Sequence, residues 1–192
     1  MYANDDMFLN ADLSPEFFFG KDGCPIVRLK RSYLGKFYYT LKNITRRGLG
    51  QYAHTVHKAA LLVEKKFGKY YAGKPPHNID SYLLSDYKAV MSEVFVDQVR
   101  RTQTNRTRSK EDLQRSVVSF YALARGRAHL QYVGRKTSSR ILLHRHNFDR
   151  YMKKYQPKLF CLNDSQRNQD HHRKMIVPLL AKHFPIKSAF EL

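Results

Sequence analysis

Residues 157–164 read PKLFCLND. Leu159, Phe160, Cys161 and Leu162 form a short apolar run, opened by Pro157 and closed by Asn163-Asp164. A run of that length between turn residues predicts a buried strand over Pro157 to Leu162. On its C-terminal side His172, Met175, Ile176, Leu179 and Leu180, with His183 beyond them, share one side of a predicted helix. Pro178 is expected to kink that helix or mark a break. On its N-terminal side residues 129–146 leave two readings open, a hairpin or a basic loop with a short helix. Before them Leu113, Val117, Phe120, Tyr121 and Ala124 recur at helical spacing, with Ser109 as cap and Asp112 at the capping-box position. Residues 100–108 are polar and basic and read as a loop.

The pattern continues toward the N-terminus. Leu83, Leu84, Tyr87, Val90, Met91, Val94 and Phe95 form a broad apolar face, and Asp80 or Ser81 caps that helix. Gly73-Lys74-Pro75-Pro76 reads as a rigid loop. Ala53, Val56, Ala60, Val63 and Phe67 predict a helix over Tyr52 to Phe67, stopped by Gly68. Pro25 to Leu29 reads as a strand, Lys21-Asp22-Gly23 as a turn, Ser14 to Phe19 as a helical turn, and residues 1–9 as a hydrophobic strand end. Strand, helices, strand, helix is the order of a mostly helical α/β chain.

Composition bounds the partner. Thirty-five Lys and Arg against 16 Asp and Glu give a net charge of +19, in a chain of 192 residues that is 42% hydrophobic. That much apolar content builds a core and excludes a disordered basic tail. The length is that of one domain or part of a larger one. The cations are dispersed (Arg28-Lys30-Arg31, Arg46-Arg47, Lys65-Lys66, Arg100-Arg101, Arg106-Arg108, Arg135-Lys136, Lys153-Lys154) and form no continuous basic tail. A solvated basic surface has this pattern. So does a surface for nucleic acid, anionic membrane, polyanionic glycan or nucleotide phosphate. The two cysteines, Cys24 and Cys161, make neither a disulfide framework nor a closed zinc site, and suit a reducing, cytosolic setting. No run approaches a membrane span, and the acidic start MYANDDMFLN does not read as a signal peptide.

Two acidic motifs flank apolar runs: Asn4-Asp5-Asp6 before Met7-Phe8-Leu9, and Asn163-Asp164 after Leu159 to Leu162. Carboxylates at strand ends suit a hard divalent cation, which takes one or two of them and fills its sphere with water and phosphate oxygens. Loop and cap roles account for the same residues, Asp164 reading as a cap for the helix that follows. His171 and His172 invite a metal reading, but adjacent helix positions face different ways and are not expected to clamp one ion.

These residues fall in stretches that resemble a known family. YANDDMFLNADLSPEFFFGKDG (2–23) resembles the end of the second conserved block of the Stealth family of sugar-phosphate transferases. LLVEKKFG (61–68), PPHNIDSYLLSDY (75–87) and NRTRSKEDLQRSVVSFYALARGRA (105–128) resemble its third block. KLFCLNDSQ (158–166) and FPIKSAFEL (184–192) resemble its fourth. The corresponding segments are 1–30, 37–128 and 155–192. The resemblance implies the C-terminal portion of a nucleotide-sugar-binding, GT-A-like α/β transferase core. It implies transfer of a hexose-1-phosphate, such as N-acetylglucosamine-1-phosphate, from a UDP-sugar donor to a glycan acceptor in capsular or exopolysaccharide synthesis. The animal relative is the lysosomal-enzyme N-acetylglucosamine-1-phosphotransferase.

The resemblance also implies roles. Asp5 and Asp6 match the Asn-Asp-Asp motif and would hold Mg²⁺ or Mn²⁺, with Asn163 or Asp164 helping. Arg108 would bind a phosphate, with Arg106 as its neighbouring substitute. His77 would be general base or phosphate donor, an imidazole being able to hold or release a proton near neutrality. Some family members carry the histidine before the proline, where this chain has Lys74, so Lys74 is a second substrate-binding candidate. The first block, which contains Trp, has no counterpart here, and the chain has no Trp. The expectation is a truncated chain, an internal start, or completion by a second polypeptide, with weak activity alone and a cytoplasmic or membrane-peripheral setting. DNA is not an expected partner. The rival readings are a basic nucleic-acid-binding module, for which no helix-turn-helix, RNA-recognition or zinc signature is visible, and a non-catalytic glycan-binding fragment.

Overall fold

The computed structural model describes residues 1–45, 48–165 and 167–186. Arg46-Arg47 and the end of the last matching stretch, 187–192, lie outside the described residues, as does Gln166. The described chain is mixed α/β. Its elements are β1 (Met7–Leu9), β2 (Ile26–Arg31), α1 (Gly35–Ile44), α2 (Gln51–Phe67), β3 (Gly73–Lys74), α3 (Leu84–Ala89), α4 (Val96–Thr104), α5 (Ser116–Ala124), β4 (His129–Tyr132), β5 (Ser138–Leu142), α6 (Phe148–Tyr155), β6 (Leu159–Asn163) and α7 (Asp170–His183).

The strands form two three-stranded sheets, ordered β1-β6-β5 and β3-β2-β4. In the first, β1 is antiparallel to β6 and β5 is parallel to it; in the second, β3 is antiparallel to β2 and β4 is parallel to it. Each sheet covers its own core. Val27 and Leu29 point to one side of β2 by the two-residue period and meet Val56, Ala59, Ala60 and Val63 of α2 and Val117, Val118 and Phe120 of α5. Arg28 faces the other way and is also buried, its guanidinium over the Phe17 ring at 3.9 Å and its Nε on Gln131 Oε1 at 3.1 Å. The second core joins Phe160 and Leu162 of β6 to Ile141, Phe148 and the α7 residues Ile176, Leu179 and Leu180.

The expected helix over Tyr52 to Phe67 is α2, closed by Gly68 at φ 72°, whose N–H reaches Glu64 O at 2.8 Å. α5 is buried along Ser116 to Leu123, as a helix apolar on nearly all sides must be. β6 occupies the predicted strand.

Several expectations are corrected. Neither Asp80 nor Ser81 caps a helix: Asp80 bridges to Tyr2 and the Ser81 hydroxyl donates to Phe18 O at 2.8 Å, so α3 starts at Leu84. A π-helical turn at Val90–Val94 then breaks the face, leaving Leu84 and Tyr87 exposed while Val90, Phe95 and Val99 are buried. α4 continues to Thr104, into the segment read as loop. Ser109 and Asp112 do form their reciprocal bonds (Ser109 N to Asp112 Oδ2, 2.8 Å), but these close a single turn and α5 begins only at Ser116. β4 and β5 lie in different sheets, so residues 129–146 are not a hairpin. α7 runs through Pro178 without ending there, and its capping box is Gln169 with His172, not Asp164.

Candidate functional site at the Asp6–His77 corner

β1 is held on β6 with Met7 opposite Cys161, and Leu162 N donates to Asp6 O at 2.9 Å. The backbone of Asp6 is therefore fixed by the strand that the PKLFCLND stretch forms. Across from it, the 75–80 segment is pinned at both ends. The Tyr52 hydroxyl donates to Pro75 O at 3.1 Å at one end, Tyr2 and Asp80 exchange backbone bonds of 2.8 and 3.0 Å at the other, and the buried Asn78 amide donates to Ser138 Oγ on β5 at 2.9 Å. His77 lies between these anchors, its Nε2 3.3 Å from Asp6 Oδ2.

The same Asp6 oxygen accepts a bond from Cys161 Sγ at 3.1 Å. Burial, then the Asp6 carboxylate, pushes the Cys161 thiol well up, so it donates as a thiol and is not a thiolate ligand. Asp6, His77 and Cys161 place their donor atoms within 4.8 Å of one another. Asp6 Oδ1 is buried and has no hydrogen-bond partner among the described residues. A buried carboxylate oxygen left unpaired is costly, and a hard cation held by one carboxylate, water and phosphate oxygens would satisfy it. In this set the Asp6 carboxylate is the hard oxygen donor, and the His77 imidazole and Cys161 thiol are softer ones.

His77 opens into a cleft of about 550 Å³ whose walls include Tyr2, Asn4, Tyr52, Arg106 and Arg108. Among the described residues neither Arg106 nor Arg108 is in an ion pair, and both are exposed on the loop after α4. The third cleft arginine, Arg115, is engaged: its Nη2 lies 3.1 Å from Asp80 Oδ2 and its guanidinium 4.5 Å from the Tyr2 ring centre. Burial pushes the Asp80 carboxyl up to about 6, against the opposing pull of Arg115. Tyr52, pushed up to about 12 by burial, donates its hydroxyl to Pro75 O at 3.1 Å and walls the cleft.

Lys74 lies on the far side of Tyr52, its Nζ 4.9 Å from that ring centre, lining an adjoining cavity with Tyr39 and Lys42. It sits in β3 directly opposite Lys30 of β2. Burial and the neighbouring Arg140 and Lys30 lower its pKa. Like charges opposite one another destabilise a strand pair, which an anion bound there would offset.

Among the described residues the donor cluster at Asp6 includes neither Asp5 nor Asp164. Asp5 is exposed. Asp164 is tied to Arg173 Nε at 2.8 Å and to Asn168 Nδ2 at 2.6 Å, bonds that lower its pKa. The Asn163 carbonyl receives the same Asn168 amide at 3.4 Å. Cys161, Asp80 and Arg115 escaped the sequence reading. The alternation of β6 could have found Cys161, since it lies opposite the residue beside Asp6; Asp80 carried only a helix-cap signal and Arg115 none. No protein-family model and no curated protein matches the chain.

Proposed function

We propose that this chain is the C-terminal portion of a Stealth-type, GT-A-like sugar-1-phosphate transferase acting on a UDP-sugar and a glycan hydroxyl. The observation that carries the reading is the meeting of three stretches that resemble the family, far apart in sequence, at one cleft: Asp6 against His77, with Arg106 and Arg108 on the same walls. The acceptor oxygen attacks the phosphorus next to the sugar. A P–O bond to the acceptor forms, the P–O bond to UMP breaks, and the sugar C1–O bond is retained. The acceptor proton passes to His77. Asp6 holds the Nε2–H side of the ring, which leaves Nδ1 as the basic nitrogen. Arg106 and Arg108 bind the diphosphate as fixed donors, and Lys74 with Lys30 offers a further anion contact. A divalent cation on Asp6, when bound, would neutralise charge on the diphosphate.

On this reading the chain acts in capsular or exopolysaccharide assembly in the cytoplasm, at the periphery of the membrane. Among the described residues no helix is long and apolar enough to cross a membrane. The test is nucleotide release from UDP-N-acetylglucosamine with a glycan acceptor and Mg²⁺ or Mn²⁺. The reading expects UMP, and loss of turnover on the order of 100-fold in Asp6→Asn or His77→Ala, at the lower end of general acid–base contributions. Release of UDP would establish glycosyl transfer instead. Absence of any UDP-sugar binding, together with steeply salt-dependent binding of RNA or DNA, would favour the nucleic-acid module.

A further inference from the structure

A second cluster of metal-ligating side chains lies where the turn after β5 meets the first turn of α7. His146, His171 and His172 place one ring nitrogen each within 4.8 Å of one another. Ring centres are 3.9 Å apart for His171 and His172, 5.0 Å for His146 and His172, and 6.4 Å for His146 and His171. The expectation that these adjacent helix positions face different ways is corrected here. His171 and His172 sit at the very start of α7, and His146 approaches from another element, held at φ 44° at the end of a 3₁₀ turn (Leu143–Arg145).

We propose that these three imidazoles bind a first-row divalent cation of the Zn²⁺ type, with the fourth position open to water. Imidazole nitrogen is a ligand for zinc, copper and nickel, and is a poor one for magnesium or calcium. A tetrahedral ion with Zn–N bonds of about 2.0–2.1 Å sets its nitrogens about 3.3 Å apart. Side-chain rotation of His146 and His171, both exposed, covers the difference. His172 Nδ1 now accepts the Gln169 N–H at 2.9 Å, so binding exchanges that exposed cap bond for a metal bond.

Arg173, the nearest arginine along the helix, is already neutralised by Asp164 and Asp170. His146 and His172 also line a cavity of about 380 Å³ with Asp149 and Asn147. Asn147 is only 8% exposed, and its Oδ1 is buried without a hydrogen-bond partner among the described residues. The bound ion would tie α7, which has no buried residue of its own, to the turn after β5.

The experiment is equilibrium dialysis of the untagged full chain against Zn²⁺, with Co²⁺ as a visible-absorption probe of tetrahedral nitrogen coordination. Wild type is expected to bind one equivalent as a monomer and to melt at higher temperature with zinc. Outer-shell changes at metal sites cost about 10–100-fold in affinity, so losing a ligand should cost at least about 100-fold. That loss is expected in His146→Asn, chosen because asparagine tolerates the left-handed backbone, and in His171→Gln. Asp6→Asn and His77→Ala should bind zinc as wild type does, which separates this site from the Asp6 corner. Should His146→Asn melt early without metal, the exposed His171→Gln decides. Unchanged affinity in His171→Gln, loss in Asp6→Asn, or zinc uptake only with dimerisation would overturn the proposal.

Discussion

The contact between Asn78 and Ser138 makes a sharp test of how the Asp6–His77 corner is held. Both residues are 1% exposed, and the Asn78 amide donates to Ser138 Oγ at 2.9 Å. Asn78 Oδ1 also accepts the Ile79 N–H at 3.1 Å. Asn78→Ala removes both bonds and strands two buried or half-buried polar groups, at roughly 1–3 kcal/mol for each group left unsatisfied. The expected loss is about 3 kcal/mol. Ser138→Ala strands only the amide and should cost about 1–3 kcal/mol. Once either partner is gone, removing the other relieves the stranded group, so the double variant should be more stable than the sum by about 1–2 kcal/mol. Urea unfolding of the four proteins measures this coupling. Effects that add within about 0.5 kcal/mol would show that the two side chains are energetically independent. The hold on the His77 turn would then have to rest on the backbone bridge between Asp80 and Tyr2.

Two further expectations rest on single side chains. In Gly73→Ala the new Cβ would lie 2.8 Å from Leu29 Cβ and Cδ1, against a side chain with no exposure, so stability should fall by about 1–3 kcal/mol in the same denaturant assay. The Asp80 carboxyl is held up to about 6 from an ordinary 3.8, so the folded state binds its proton more tightly than the unfolded state does. The stability it contributes is complete below about pH 4 and lost as pH rises through about 6, amounting to about 3 kcal/mol for this one group. Thermal unfolding of wild type and Asp80→Asn across that window should differ in slope, the variant gaining on wild type as pH rises; parallel curves would contradict it.

The elements most legible in the sequence were those whose local signals agree with their packing. Leu159 to Leu162 is buried throughout because its strand lies between two others, and Gly68 ends α2 where only a positive φ closes the turn. The 80–104 region was harder because its periodicity spans a π turn, which adds a residue and rotates the apolar face. β4 and β5 could not be paired from sequence: β4 finds its parallel partner far back in β2, β5 pairs with the next strand across α6, and parallel pairing leaves no turn signature. At the site, Asp6 and His77 were visible as residue types with a chemistry. Their approach depends on Asn78, Ser138 and the Tyr2–Asp80 bridge, and long-range contacts of that kind leave no periodic trace. Asp164 illustrates the converse. Its carboxylate looked like a partner for Asp6, but Arg173, nine residues on, provides a nearer charge.

The three-residue length of β1 bears on how the corner behaves in time. Among the described residues β1 pairs with β6 alone, and it lies at the edge of its sheet. An edge segment this short can peel away while both cores stay closed, because neither depends on more than Phe8 from it. Asp6 would leave with it. Any ligand that needs Asp6 then binds only the docked fraction, and its apparent dissociation constant rises in inverse proportion to that fraction. A neighbouring strand laid along the free edge of β1 would tighten ligand binding without touching the ligand.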